Sequence, residues 1–343
     1  MKDSILKRRR RCLRAKLLLA FILLPSSFIL AQELLPTRAA DVPAYTDADR
    51  GAILREQVHR AKGPITLHLE PGVYDLGDTE PLNLPVGVEI VGSKYGETTI
   101  RSGKPFTVDA RLGYTSASTP NGNCINLNHG AGIENCTLTL DTPRGVEAAL
   151  VGFDSRFGYS QVPVQGHLKR CKILGQSWAC YIWPSGDANV HLALDDSEIY
   201  AGRQCLSACG SNAGSQFVTA RDCLFFVEPE RTSAGGAISQ GTYAVVCRGG
   251  TTKLIRCRAY VQGDPTTTRG EAAFVACHYA TKGRLATVIV EDCRSQVLPV
   301  QGVSAADVYA EQAMVKLTRG WGSGAGGTWT VAGQEVFTPA EED

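Results

Sequence analysis

The segment LKRCKI at residues 168–173 belongs to a sixfold pattern that decides the fold. Each copy has an apolar residue, two variable residues, a Cys (once a Ser), another variable residue and then usually an apolar one. The copies are IENCTL (133–138), LKRCKI (168–173), LDDSEI (194–199), ARDCLF (220–225), LIRCRA (254–259) and VEDCRS (290–295). Their anchor residues are 35, 26, 26, 34 and 36 positions apart. A constant local pattern at uneven spacing predicts constant strands joined by loops of variable length.

A second series of cysteines lies between these copies. Its members are Cys180, Cys209, Cys247 and Cys277, with Cys124 as a looser earlier member. Each repeat therefore holds at least two short strands, and the enrichment in Val, Ile, Leu and Thr between Gly, Asn and Asp favours strands over helices. Since one such coil cannot bury its own apolar side chains, the coils must stack on their neighbours.

The residue before each anchor is expected to make a tight bend. Asn and Asp tolerate the left-handed backbone conformation that such a bend requires, which explains four of the six copies but not the two arginines. With this bend both flanking side chains point inward, so the anchors should form one inward column. Its members are Cys136, Cys171, Ser197, Cys223, Cys257 and Cys293.

The segment ITLHLEPGVYDLGDTEPLNLPVGVEIVGSKYGETTI (65–100) resembles the opening coils of right-handed parallel β-helix proteins of the pectin-lyase-like superfamily. Before it, Thr46 and Asp49 form a capping-box-like helix start, with Ile53, Leu54, Val58 and Ala61 on one face. The resemblance covers roughly residues 45–300 and implies an all-β, single-stranded right-handed solenoid whose N-terminal opening is covered by this helix, near residues 47–61. The sixfold pattern predicts about eight to ten coils between residue 64 and roughly residue 300.

The predicted organisation has four parts. Residues 1–31 form a signal peptide, 32–63 a linker and capping helix, 64–300 the parallel β-helix and 301–343 a C-terminal cap or tail. Lys and Arg precede a 15-residue apolar run, Leu17–Ala31, which is short for a membrane span and ends at a plausible cleavage point. The alternative is an uncleaved N-terminal anchor, the one way in which a membrane would be a partner.

Cleavage would leave 27 basic and 33 acidic residues, a formal charge of −6. Nucleic-acid binding normally leaves a basic surface, so that partner class is set aside. Eleven cysteines would remain, an odd number. Stacked free thiols explain them, although coil spacing also permits a disulfide between neighbouring coils. The cysteine and histidine spacings match no metal site, and neither a metal nor a cofactor is expected.

The second cysteine series suggests a site. If each Cys points inward, the next residue points outward, and stacking predicts a column that contains Tyr181, Arg248 and His278 as catalytic candidates. Two residues further along, Trp183 and Asn212 are the expected substrate-binding residues. Aromatic rings stack on sugars, Arg binds carboxylates in a bidentate fork, and His transfers protons. Ordinary surface remains the alternative, because outward residues occur on any solenoid.

The predicted function is that of an exported protein, secreted, periplasmic or on the cell surface, that binds or cleaves an acidic polysaccharide. The motifs of polygalacturonases and pectate lyases are incomplete or missing, and Asp195 and Asp196 are interpreted as the two bend positions of one repeat and not as an acid pair. If the protein is an enzyme, lyase chemistry is preferred over hydrolysis, because the column contains no carboxylates. The alternative is a non-catalytic structural or adhesive surface protein.

Export makes a direct prediction. N-terminal sequencing of the protein recovered outside the cytoplasm should begin at Gln32. A chain that still begins at Met1 and is extracted only with detergent would contradict cleavage and favour the anchor.

Overall fold

A computed structural model describes residues 45–77, 80–102, 123–140, 149–154, 164–183, 189–208, 216–229, 241–267, 269–277, 286–311, 313–332 and 336–337. The expected signal peptide lies outside the described residues. No helix in these described ranges is long and apolar enough to span a membrane.

The strands form three stacks, within which neighbours pair in parallel. The first stack contains Ile65–His68, Val88–Val91, Ala131–Glu134, Val164–Lys169, Val190–Asp195, Gln216–Arg221, Thr251–Ile255, the first part of Ala286–Leu298, Ala313–Trp321 and Val336–Phe337. The second contains Gly72–Asp75, Thr98–Ser102, Thr137–Leu140, Lys172–Leu174, Glu198–Ala201, Leu224–Val227, Arg258–Gln262 and the second part of Ala286–Leu298. The third contains Leu82–Asn83, Asn123–Asn126, Ala149–Asp154, Trp178–Trp183, Gln204–Ala208, Thr242–Cys247, Glu271–Cys277, Ser304–Ala310 and Val331–Ala332.

The chain visits the three stacks in turn and then repeats, which is the path of a parallel β-helix. One inward row of the first stack shows the register, because its members pair across nine successive coils. They are Leu67, Ile90, Ile133, Leu168, Leu194, Ala220, Leu254, Val290 and Leu317. The predicted fold is therefore confirmed. Parallel pairing continues through Ala313–Trp321, so the solenoid extends beyond the expected end near residue 300.

The predicted anchor column is also confirmed. All six anchors are buried, and backbone N–H groups within the column donate to the next anchor, from Cys171 to Ser197 Oγ (3.1 Å) and from Cys257 to Cys293 Sγ (3.3 Å). Each preceding residue has a left-handed backbone, with φ between 48° and 55°. Asp196 is one of these bend residues, whereas Asp195 ends the strand Val190–Asp195, so only the second of the two predicted bend positions has the bend conformation.

The bend arginines, which the conformational argument did not explain, are accounted for by their charge partners. Arg256 donates from Nε and Nη2 to both carboxylate oxygens of Asp222 on the coil before it, at 2.8 and 2.6 Å. Arg170 pairs with Glu134, and Arg319 pairs with Asp292 at 2.9 Å. Because successive coils stack in register, a basic residue at one bend meets an acidic residue of the preceding coil.

The N-terminal helix, Asp47–Arg60, begins with the predicted capping box. Thr46 Oγ1 accepts from the Asp49 N–H at 3.1 Å, and Asp49 Oδ2 accepts from the Thr46 N–H at 3.0 Å. Leu54 and Val58 are buried in the core. Gly51 allows a close approach, since an added Cβ would lie 1.8 Å from the Asp75 carbonyl oxygen. The helix thus packs on the first coil.

The far end of the core is held by a buried carboxylate. Asp307 is fully buried and accepts hydrogen bonds from the backbone N–H groups of Ser323 (2.9 Å) and Thr330 (2.8 Å). Trp329, between these two, packs against the core and stacks on Phe274 with ring centroids 6.3 Å apart. Asp307 therefore ties the chain after the last long strand to the end of the solenoid.

The left-handed bends predict a contrast between neighbouring residues. Replacing Asp196 by Val should cost about 1–2 kcal/mol, because a β-branched residue is strained at a φ of 48°, whereas Asp196→Gly should leave the melting temperature unchanged or raised. Asp195→Val is the matched control, because Asp195 lies in extended strand. Equal melting temperatures for the two Val variants would contradict the bend argument.

The ten cysteines of the described ranges are free and buried. Burial raises the pKa of Cys124 and of Cys171 to about 11, so these thiols stay protonated while those of an unfolded chain ionise near 8.5. Their contribution to stability is complete below about pH 8.5 and is lost as the pH rises towards 11. Ellman's reagent at pH 8 should modify them only after unfolding, and reductant should leave the melting temperature unchanged. A large loss of melting temperature on reduction would instead reveal disulfides.

Candidate functional site

The third stack presents outward side chains in a pattern that differs from simple alternation. In Trp178–Trp183 the core includes Ala179, Cys180 and Ile182, whereas Trp178 and Tyr181 lie in a separate cluster. Two adjacent residues therefore face inward between two outward ones, and the later strands repeat this arrangement.

Three rows run across the outward side of this stack. The first contains Trp178, Gln204, Tyr243, Ala273 and Ala306. The second contains Tyr181, Ser207, Val246, Ala276 and Tyr309. The third, which follows the strand ends, contains Arg248 and, two coils further on, Glu311.

The predicted column of Tyr181 and Arg248 is wrong. Tyr181 pairs with Ser207, which pairs with Val246, so Arg248 lies two residues beyond the row of Tyr181. The error came from aligning Cys180 with Cys209, whereas Cys180 pairs with Leu206. The spacing between cysteines could not show this shift in alignment, because the same inward position of the stack is filled by Cys in one coil and by Leu in the next.

Tyr181 is also not the solvent-facing residue that was expected. It is buried and meets Trp178 edge to face, with ring centroids 6.2 Å apart. Its backbone carbonyl accepts from Asn123 Nδ2 at 3.3 Å, and the Trp178 indole donates to Gln204 Oε1 at 2.9 Å. These contacts give Tyr181 a packing role on the outward side.

The remaining predicted residues are placed only in part. Arg248 is half-buried, and its backbone N–H donates to the Ala208 carbonyl, which puts it directly after the row of Cys247. Trp183 is in strand and pairs with Asp154. His278 and Asn212 lie outside the described residues.

The structure assembles a charged cluster that the sequence did not predict. Arg269 Nη1 lies 3.0 Å from Glu311 Oε1 and 4.0 Å from Glu271 Oε2. The two carboxylate oxygens are therefore at most about 7 Å apart. These side chains are 19–29% exposed, whereas the rows beside them are buried, at 9% exposure or less.

Tyr243 completes this cluster. Its hydroxyl donates to Glu271 Oε2 at 2.7 Å, and its ring is fully buried. Burial first, and then the hydrogen bond to Glu271, raise the pKa of Tyr243, so its hydroxyl remains a donor. Gly241 makes room for it, since an added Cβ would lie 2.4 Å from the Tyr243 oxygen. Tyr243 thus orients the Glu271 carboxylate.

Sequence reasoning missed the cluster for a geometric reason. Glu271 begins one strand, Glu311 follows the end of the next strand of the stack, and Arg269 lies in a turn. Forty residues separate the two acids, and no local motif connects them.

Two other features have structural roles, because their side chains are already in contact with neighbours or are buried. Tyr200 and Phe226 on the second stack resemble a sugar platform, but their rings stack on each other at 4.6 Å with an angle of 9°, and Lys172 lies over the Tyr200 ring. Their faces are thus already in contact. Arg203 lies directly before Gln204 and aligns with Thr242, which is buried, so Arg203 is at a buried position of the stack. Its Nε and Nη1 have no hydrogen-bond partner within the described ranges.

Comparison with known proteins gives a likeness of fold. No family model and no curated protein sequence matches the chain. The chain is similar to pectin methylesterase from Yersinia enterocolitica, with a TM-score of 0.46 and 12% identity over 79% of this chain and 89% of that one. It is also similar to tailspike protein gp49 from Acinetobacter baumannii bacteriophage Fri1, a capsular polysaccharide depolymerase, with a TM-score of 0.41 and 11% identity over 84% of this chain and 58% of that one.

A further similar structure is alginate lyase from Paenibacillus sp. str. FPU-7, with a TM-score of 0.34 and 10% identity over 83% of this chain and 96% of that one. Identities this low bear on the fold alone. What the outward side of the third stack can do must therefore be argued from its own residues.

Proposed function

We propose that this protein is exported and binds an acidic polysaccharide along the outward side of the third stack. The observation that carries the proposal is that Arg248 and Glu311 lie in one row beside Arg269. This row combines a residue type that binds carboxylates and one that accepts hydrogen bonds from hydroxyls.

The geometry of the solenoid suits a linear polymer. Neighbouring coils are ~4.8 Å apart, so one row presents a side chain at a step close to the length of one sugar unit. Arg248 and Glu311 are two coils apart, a distance of roughly 10 Å along the axis, which is close to the length of two sugar units. A polysaccharide running along the solenoid axis would therefore meet these side chains in succession.

The first stack is the less suitable surface. Its outward charges are already joined between coils, as in Lys253 with Glu291 at 3.5 Å and His167 with Glu89 at 3.4 Å. Such ion pairs between coils are typical of a solvated face with a structural role. If the protein were a rod without a binding site, a structural role would be its whole function. On the third stack the charged side chains of Arg269, Glu271 and Glu311 are partly exposed and lie together.

Fewer residues are candidates for proton transfer in a lyase reaction at this surface than the sequence indicated. In the expected reaction Arg248 neutralises the uronate carboxylate, and His278 or Tyr181 moves the proton. Tyr181 is buried outside the row of Arg248, so His278 alone keeps the proton-transfer role in this version.

Binding can be tested with one substitution that removes a positive charge and a matched control. Arg248→Gln should weaken binding to polygalacturonate or alginate by roughly tenfold or more, because a charge-assisted contact contributes about 1.5–3 kcal/mol. Arg258→Gln removes an exposed arginine of the second stack and should leave affinity unchanged. Affinity electrophoresis and isothermal titration calorimetry measure both variants.

The same titrations with carboxyl-reduced polymers separate charge recognition from sugar recognition. The wild type should bind the reduced polymer more weakly, to about the level of Arg248→Gln with the acidic one. Equal affinities of the wild type, Arg248→Gln and Arg258→Gln for the acidic polymers would contradict this surface. Absence of binding to any polyuronate would contradict the proposed function and favour the rod.

A further inference from the structure

We propose that Arg203 holds a small monovalent anion, chloride, in a buried site at the corner between the second and third stacks. The site is separate from the row of Arg248 and Glu311, and it goes beyond the proposed function, because it does not require a polysaccharide. The anion neutralises a buried positive charge for which the described residues provide no counterion.

The burial of Arg203 is the first step of the argument. It is the only basic residue that is buried in the described ranges, with 2% of its surface exposed. Its Nε and Nη1 have no hydrogen-bond partner, and no ion pair joins its guanidinium to a carboxylate in the same part of the chain. A guanidinium keeps its charge in proteins, and buried charges are normally paired because an isolated one is very unfavourable. Arg203 therefore needs a negative charge beside it.

Other charged side chains that are removed from water find partners within the chain. Asp307, which is fully buried, accepts from the backbone N–H groups and the hydroxyl groups of Ser323 and Thr330. Arg55, which is only half-buried, donates to three backbone carbonyl groups of the first coil. Arg203 is more buried than Arg55 and has neither kind of partner, so it departs from the way this protein accommodates charge.

The backbone of Arg203 is held on both sides by hydrogen bonds between coils. Its N–H donates to the Ser177 carbonyl at 3.2 Å, and its carbonyl accepts from the Tyr243 N–H at 2.7 Å. Only two residues, one of them Arg203, lie between the strands Glu198–Ala201 and Gln204–Ala208. A corner this short and this well bonded keeps the charge inside the solenoid, so the counterion must enter the corner.

The residues that align with Arg203 on the neighbouring coils are small and carry hydroxyl groups. They are Ser177 and Thr242, both buried, and one coil further on the aligned residue is Ala272, which packs in the core. Thr242 Oγ1 already donates to the Glu271 carbonyl at 3.4 Å, whereas the Ser177 hydroxyl makes no hydrogen bond within the described ranges. Because coils are ~4.8 Å apart, Ser177 is the second donor within reach of an anion on Arg203.

Charge and size define the ligand. One guanidinium neutralises one negative charge, so phosphate or sulfate would leave excess negative charge beside an apolar core. The small exposed fraction of Arg203 excludes a sugar chain. A monatomic, monovalent anion meets both conditions, and chloride is the common one in solution. Since chloride bound here belongs to the folded state alone, it stabilises the fold in proportion to the logarithm of its concentration.

The test measures the melting temperature of the protein at constant ionic strength while sodium chloride replaces sodium gluconate, whose anion is too large for the site. The wild type should gain a few degrees for each tenfold increase in chloride. Arg203→Met should show no dependence on chloride. In gluconate alone this variant should melt at or above the temperature of the wild type, because an apolar side chain of similar length replaces an unpaired buried charge.

Arg221→Met is the matched control, because Arg221 is an exposed arginine of the first stack. This control should keep the chloride dependence of the wild type. A wild-type melting temperature that does not change with chloride would overturn the proposal. Loss of the dependence in both variants would also overturn it, because the effect of chloride would then not belong to one buried site.

A crystal of the wild type soaked in bromide keeps the test independent of variant folding. Anomalous scattering should place a bromide ion at hydrogen-bond distance from the Arg203 guanidinium and the Ser177 hydroxyl. No ion at this corner, or a carboxylate side chain of the protein seated on the guanidinium, would overturn the inference. Neither measurement uses a polyuronate, so failure of the proposed function would leave this inference standing.

Discussion

In-register stacking of parallel coils is the constraint on which the rest of this structure depends. Each coil hydrogen-bonds to its neighbours through three strands, and one inward row remains aligned from Leu67 to Leu317. Because the side chains of a strand alternate, a shift of one residue in one coil would turn its apolar set towards solvent. The left-handed bends before the anchors fix where each coil turns, and loops of any length can then leave the stack without disturbing the register.

The same constraint creates the candidate site. Glu271 begins one strand of the third stack, Glu311 follows the end of the next, and Arg269 contacts both, with Tyr243 of the preceding coil on Glu271. Four side chains from three coils meet because the register holds. The partly exposed cluster adjoins rows that are almost completely buried, and it is this contrast in exposure and charge that distinguishes it from the rest of the stack.

The fold could be predicted from the sequence because the features that determine it depend on short-range patterns. The anchors of the sixfold pattern, the bend residues before them and the capping box at Thr46 each depend on a few adjacent positions, and each is found as predicted. The site could not be predicted in the same way. Tyr181 and Arg248 were aligned through cysteine spacing, whereas the actual register depends on Leu206 in the position that a cysteine was expected to fill. The carboxylate pair depends on pairing between coils and on the reach of Arg269 from a turn, which no local pattern encodes.

The proposed function is tested most directly by a crystal structure of the wild-type protein with a bound polyuronate oligosaccharide. The sugar chain should follow the third stack across successive coils, with a carboxylate beside Arg248. An oligosaccharide bound along the Tyr200 and Phe226 column of the second stack would contradict it.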